Sequence, residues 1–324
     1  GWLNKSLTQP VDPLKSPEWQ SKIKAVAKNG TPREMGVWSP PQPWPLIAIH
    51  AALLPDGRVM TYGTNADGQQ TGRFIYDVWD ARGELNAGHL TLPNTTTTDL
   101  FCNAQTMLPS GDLFMAGGDN FVNGATNNLG NRDSAYFNPR NNTLSNGSSM
   151  NRPRWYATVT TMANADVYIQ GGSGGADRPE VRGANGQFKL LSEAKTAALD
   201  IGENYPRNWL TQDDRIFGID LSGRMYIVDR RGDGTVQRLN NLHKDFMGNG
   251  ASQVMYAPGQ ILAVGANSAR TARLLINRAV PVANEVESTS TARYWGNATV
   301  LPNGQVLMTG GSEVANQLVG APNM

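Results

Sequence analysis

A phrase of apolar strand, tight turn, apolar strand and glycine recurs along the 324 residues. Its first three copies fall 54 residues apart, at Pro55, Pro109 and Ala163, in a chain carrying 35 glycines and 19 prolines. Together these observations predict an all-β fold, a kelch-type β-propeller, in which blades of about 50 residues are arrayed around an axis. A β-sandwich or a β-helix also uses short strands and turns, but a sandwich does not normally repeat one hairpin phrase at fixed period.

Residues 1–40 lack the phrase and read as an N-terminal extension, with a short helix expected over 16–28 and a proline-rich entry at 40–45. From 41 to 324 the chain reads as propeller. Its hairpins are LLPDGRVMTYG (53–63), MLPSGDLFMAGG (107–118) and TMANADVYIQGG (161–172), then the degenerate LSGRMYIVD (221–229) and YAPGQILAVG (256–265), then VLPNGQVLMTGG (300–311). The turns Asp56-Gly57, Ser110-Gly111 and Asn303-Gly304 are those a tight hairpin demands, because glycine and asparagine accept positive φ cheaply. About six hairpin repeats are expected, with the last blade or blades missing from the chain.

A formal charge of +1, with 28 basic residues scattered among 27 acidic ones, offers no clustered positive surface for nucleic acid. No apolar run approaches a membrane span. The chain begins at Gly1 rather than methionine and reads as a processed protein, secreted, extracellular or on the cell surface. Its one cysteine excludes an intrachain disulfide, so Cys102 requires its own account.

Cys102 lies seven residues before Pro109 and Tyr156 seven before Ala163, which puts the two at one structural position in successive blades. They are expected to be neighbours near the axis, and Ala48 and Trp295 occupy the same register. A thiol beside a phenol can be a small buried hydrophobe next to a core aromatic, or it can be redox chemistry. Position alone leaves both readings open.

The wording of the segments goes further. DLFCNAQTMLPSGDLFMAGGD (99–119) resembles the segment of the galactose oxidase and glyoxal oxidase family that bears the cysteine of a thioether-linked Tyr-Cys cofactor. RPRWYATVTTM (152–162) is similar to the one that bears the tyrosine, in its glyoxal oxidase form, and WPLIAIHAALLPDGRVM (44–60) and ARYWGNATVLPNGQVLMTGG (292–311) continue the likeness in register. The resemblance implies a seven-bladed propeller when complete, and a mononuclear copper bound by two tyrosines and two histidines. Tyr156 would be the copper ligand, cross-linked to Cys102. Such a copper-radical oxidase takes two electrons from a primary alcohol or aldehyde and passes them to O2, which leaves as H2O2.

Several family features have no match. The second tyrosine and its neighbouring histidine are absent, since Tyr294 is followed by Trp295, and the histidine of a later C-terminal domain is absent too. His50 reads as a satisfied structural histidine, and His89 and His243 as solvated. Galactose oxidase stacks a tryptophan on the thioether eighteen residues after its tyrosine; that position is Gly174 here, so any stacking aromatic comes from elsewhere. The expected protein is therefore an oxidase subunit or fragment, completed by a C-terminal continuation or a second chain and acting on a small alcohol, aldehyde or carbohydrate. The alternatives are a non-catalytic propeller of the same ancestry, glycan-binding or structural at a cell surface, and a kelch-like interaction scaffold.

Overall fold

A computed structural model describes residues 17, 21, 42–83, 87–247, 250–278 and 280–312. The helix expected over 16–28 lies outside the described residues except for Pro17 and Ser21. The regular structure from residue 47 onward is β-strand, interrupted only by two single-turn 3₁₀ helices.

The first sheet runs β1 (Ile47–Leu53), β2 (Val59–Thr64), β3 (Ile75–Trp79) and β4 (His89–Pro93). The second uses β5 (Ala104–Met107) and β6 (Leu113–Ala116), inserts a ribbon of β7 (Asp119–Val122) and β8 (Ala125–Gly130), and finishes with β9 (Ser134–Asn138) and β10 (Thr143–Asn146). The third contains β11 (Ala157–Thr161), β12 (Val167–Gly171), β13 (Glu180–Arg182) and β14 (Phe188–Leu190). The fourth contains β15 (Arg207–Leu210), β16 (Ile216–Ile219), β17 (Arg224–Asp229) and β18 (Thr235–Asn241). The fifth contains β19 (Ser252–Ala257), β20 (Gln260–Val264), β21 (Thr271–Leu275) and β22 (Val282–Val286), and a sixth unit is the hairpin β23 (Asn297–Val300) and β24 (Val306–Thr309). Among the described residues, then, there are five four-stranded antiparallel sheets and two two-stranded ones, β7–β8 and β23–β24, each separate and none closed on itself. The first strands of successive sheets adjoin one another, β5 beside β11, β11 beside β15, and β19 beside β23. This is the radial arrangement of propeller blades.

One expected hairpin is corrected. LSGRMYIVD is not an inner pair but the turn before β17 and β17 itself, the third strand of the fourth blade. The inner pair there is β15–β16, whose turn runs Thr211-Gln212-Asp213-Asp214-Arg215 without glycine. Asp214 takes the positive φ of 60° instead, so the usual Asn-Gly or Asp-Gly signal is missing.

The second strands explain how the blades cohere. β6, β12 and β16 are buried at every residue, which is why they read as short continuous apolar runs. Successive side chains of a strand point to opposite faces, and the two faces join different neighbours. Leu113 and Met115 pack with Met60 and Tyr62 of the first blade, while Phe114 packs with Val167 and Ile169 of the third. Tyr168 then packs with Ile216 and Tyr226, and Phe217 with Ile261 and Ala272. Each core cluster thus fills one seam between two blades.

The glycine pairs that close the second strands have a steric cause. A Cβ on Gly117 would stand 2.1 Å from the Arg154 carbonyl oxygen, and one on Gly118 1.9 Å from that of Asp99. In return the Gly118 N–H donates to the Arg154 carbonyl at 2.9 Å, and in the next blade the Gly172 N–H donates to Glu203 at 2.8 Å. Arg154 is itself fully buried. Its guanidinium donates to Glu180 Oε1 at 2.9 Å and to the carbonyls of Gly171, Gly175 and Arg178, while Glu180 Oε2 accepts from the Asn151 N–H and amide. Removing one partner of such a satisfied buried pair leaves the other charge uncompensated. Glu180→Ala is expected to destabilise the protein by about 3–5 kcal/mol, read as a lower denaturant midpoint; a loss of less than about 1 kcal/mol would show that the pair does not lock the third blade.

Candidate functional site

The equivalent positions can be counted from a hydrogen bond that the inner turns of all the blades but the fifth repeat. Leu54, Leu108, Met162, Thr211 and Leu301 each donate their N–H to the carbonyl four residues on. Six residues before each of these stand Ala48, Cys102, Tyr156, Tyr205 and Trp295. Four of the five are left-handed, with φ of 57° at Cys102, 71° at Tyr156, 42° at Tyr205 and 62° at Trp295. Non-glycine residues seldom adopt this conformation, and where they do the surrounding structure enforces it.

Here the enforcement is a relay of backbone hydrogen bonds from blade to blade. The Tyr156 N–H donates to the Cys102 carbonyl at 3.0 Å, the Tyr205 N–H to the Tyr156 carbonyl at 2.8 Å, and the Trp295 N–H to Gly250 at 3.1 Å. At the first blade the pattern changes. Ala48 lies inside β1, where the register shifts between Ile47 and His50, and the Cys102 N–H instead donates to His50 Nε2 at 3.0 Å. The His50 imidazole stacks on Tyr62 with ring centroids 4.8 Å apart. Burial pushes its pKa down to about 4, which keeps it neutral and able to accept.

Cys102, Tyr156 and Tyr205 line one cavity of about 530 Å³, together with His50, Asn103 and Gln105. Cys102 is 7% exposed. Burial pushes the thiol up to about 11, against the hydrogen bonds from Tyr156 and Tyr205, and the carboxyls of Asp119 and Asp99 add to the rise. Asp99 is itself raised to about 6 by burial. The Tyr156 phenol is raised above its ordinary value by burial and then by the nearby sulfur, as is Tyr205. At neutral pH the trio holds its protons.

The structure thus brings Cys102 and Tyr156 together, and it adds two residues that the sequence reading missed. Tyr205 occupies the ring position of the fourth blade, the blade whose inner hairpin went unrecognised; counting back from Thr211 would have found it. Trp155 lies against Tyr156 with centroids 4.2 Å apart and an interplanar angle of 34°, so the ring on the phenol comes from the preceding residue. No aromatic fits at 174, where a Cβ would stand 2.7 Å from Pro153 Cγ.

The remaining histidines are placed away from the trio. His89, expected to be solvated, instead holds Asp77 Oδ2 through Nδ1 at 2.7 Å, under the edge of Trp44. His243 is exposed and caps a 3₁₀ turn by accepting from the Asp245 N–H. Tyr294 pairs through its backbone with Ser312, and the Trp295 side chain is 56% exposed. Among the described residues no three His, Cys, Asp or Glu side chains gather as a metal-binding group, and no helix is long and apolar enough to cross a membrane.

No protein-family model matches the chain, and no curated protein does. Among solved structures, a fungal alcohol oxidase of the AA5 family in complex with copper aligns with 85% of this chain at a TM-score of 0.71 and 16% identity. At that identity the likeness is one of fold. The chain spans 61% of the length of that neighbour.

The depressed value of His50 makes stability depend on pH. An unfolded histidine titrates near 6.5 and the folded one near 4, so between these values the unfolded chain binds the extra proton. The contribution is fully present above pH 6.5 and is lost as pH falls toward 4. Wild-type protein is expected to lose about 3 kcal/mol more across this window than His50→Asn, as read from denaturant midpoints. An equally steep fall in the variant would show that burial does not hold His50 neutral.

Proposed function

We propose that Cys102 and Tyr156 are the redox half of a copper-radical oxidase site, in a secreted protein that oxidises primary alcohols or aldehydes and reduces O2 to H2O2. The observation that carries this reading is the convergence of the sole thiol and a phenol on one cavity. The fold shared with a copper-bound alcohol oxidase supports it.

The residues present fit the thioether pair better than they fit a whole copper site. The Tyr156 hydroxyl faces the cavity and can serve as a ligand, whereas His50 Nε2 and His89 Nδ1 are already engaged. Copper(II) favours imidazole nitrogens in tetragonal geometry, so we assign the remaining ligands to residues outside those described, on a continuation of this polypeptide or on a second chain that also completes the seven blades. Bound there, copper would supply one of the two electron-accepting centres. The work of this chain is to hold the sulfur against the Tyr156 ring at the cavity that His50 and Tyr205 also line. Cross-linking replaces one S–H and one ring C–H by a C–S bond. The two electrons and two protons released reduce one O2 to H2O2. Electron-rich sulfur on the ring then makes the phenol easier to oxidise in turnover.

A second reading, a propeller of the same ancestry without catalysis, is favoured by the engagement of those two imidazoles. Peptide mapping separates the two. After exposure to copper and oxygen, Cys102 and Tyr156 are expected in one cross-linked peptide pair two hydrogens lighter than the sum of its parts, with no thiol left to react after unfolding. Separate unmodified peptides from protein that is producing peroxide would refute the cofactor. A fully alkylatable Cys102 with no peroxide would support the second reading.

A further inference from the structure

The sequence carries six Asn-X-Ser/Thr acceptor signals for N-linked glycan, at Asn4, Asn29, Asn94, Asn141, Asn146 and Asn297. The first two lie outside the described residues, and Asn297 opens β23, an inner strand beside β19. The other three differ sharply in what their amides do. Asn94 is 7% exposed and spends both amide hydrogens inside the protein, on the carbonyls of Gly72 at 2.7 Å and Thr98 at 2.8 Å. A glycan would replace one of these hydrogens and find no room, so a chain modified there does not complete the fold. Asn141 and Asn146 are exposed. Only their carbonyl oxygens are engaged, that of Asn141 by the N–H and hydroxyl of Thr143, and that of Asn146 by the N–H and hydroxyl of Thr97. Their amide nitrogens are left free to carry a substituent.

The place of these two residues gives the modification a role. Asn141 stands in the turn before β10 and Asn146 ends that strand, the outermost of the second sheet. Unpaired strand edges invite pairing with another chain, and proteins blunt them with charge or proline. The outermost strands of the other four-stranded sheets follow this rule, with exposed Pro93 in β4, Lys189 in β14, Arg238 in β18 and Glu285 in β22. β10 reads Thr-Leu-Ser-Asn and has neither. The Tyr76 and Thr95 hydroxyls of the first blade reach the carbonyls of Asn142 and Leu144, but among the described residues no further strand pairs with β10.

We propose that Asn141 and Asn146 carry N-linked glycans, and that these guard the β10 edge in place of the missing charge. In the transfer each amide nitrogen bonds to the first sugar carbon of a lipid-linked oligosaccharide diphosphate. The bond from that carbon to the phosphate oxygen breaks, the diphosphate leaves with the electron pair, and one amide proton is released, so no oxidant or reductant takes part. The attached sugar is bulky and well solvated, and it excludes a second strand from the edge. The proposal rests on the secreted reading given above, because the transfer occurs on chains entering the secretory route.

The test is to secrete the full chain from yeast behind a cleavable signal peptide and map the folded protein in the medium. Enzymatic release of N-glycans in heavy-oxygen water marks each occupied site as labelled aspartate. Label is expected at Asn141 and Asn146 and not at Asn94. Bare Asn141 and Asn146 on a chain that has reached the medium overturn the proposal alone, and label at Asn94 in protein that unfolds cooperatively overturns the burial argument. A natural chain retained inside its cell overturns the secreted reading, and the proposal with it. Trimming the glycans from the folded protein is expected to shift its sedimentation toward larger species, as is the double variant Asn141→Gln, Asn146→Gln. Adding Ser145→Lys, a charge at an exposed position of β10, is expected to restore the sedimentation of the glycosylated protein. Trimmed protein that sediments unchanged overturns the guarding role, as does association that Ser145→Lys leaves in place. Should the double variant fail to reach the medium, the trimmed protein decides alone.

Discussion

The fully buried guanidinium of Arg154 is the constraint on which the rest of the site depends. It has no water to turn to, and four protein acceptors take its place: Glu180 and the carbonyls of Gly171, Gly175 and Arg178. Because the side chain is anchored within the third blade, its backbone carbonyl is fixed too, and that carbonyl receives Gly118 of the second blade. The next two residues, Trp155 and Tyr156, have little freedom left. The strained φ of Tyr156 is held by a buried ion pair two residues back along the chain, and its cost is offset by contacts that water cannot replace.

From that anchor the relay of backbone bonds carries the constraint sideways. Tyr156 donates to Cys102 and receives Tyr205, so three consecutive blades present their ring residues to one cavity. The first blade answers with a histidine side chain where the others use a main-chain carbonyl. His50 therefore serves the site without entering its chemistry, since its neutral Nε2 holds the Cys102 backbone in place.

Much of this was legible in the residues. The Gly-Gly that ends β6 reports real close approaches at Gly117 and Gly118, and equal distances to the turn put Cys102 beside Tyr156. The fourth blade was hidden because its turn uses Asp214 at positive φ in place of glycine, and with that hairpin Tyr205 was hidden as well. Trp155 was visible but unassigned, as nothing in a one-dimensional pattern says that adjacent aromatics will stack. His89 was misjudged because its partner, Asp77, lies on the neighbouring strand β3, a pairing that local composition does not encode.

The seams between blades have a consequence for descent. Each hydrophobic cluster belongs to two neighbours only, so exchanging or losing a blade disturbs its own two junctions and leaves distant ones intact. Cys102, Tyr156 and Tyr205 lie on three adjoining blades joined by bonds within that stretch, and His50 of the first blade holds Cys102 as well. The part of the array whose geometry sets the site is thus a run of four blades, and the remaining seams can change without reaching it.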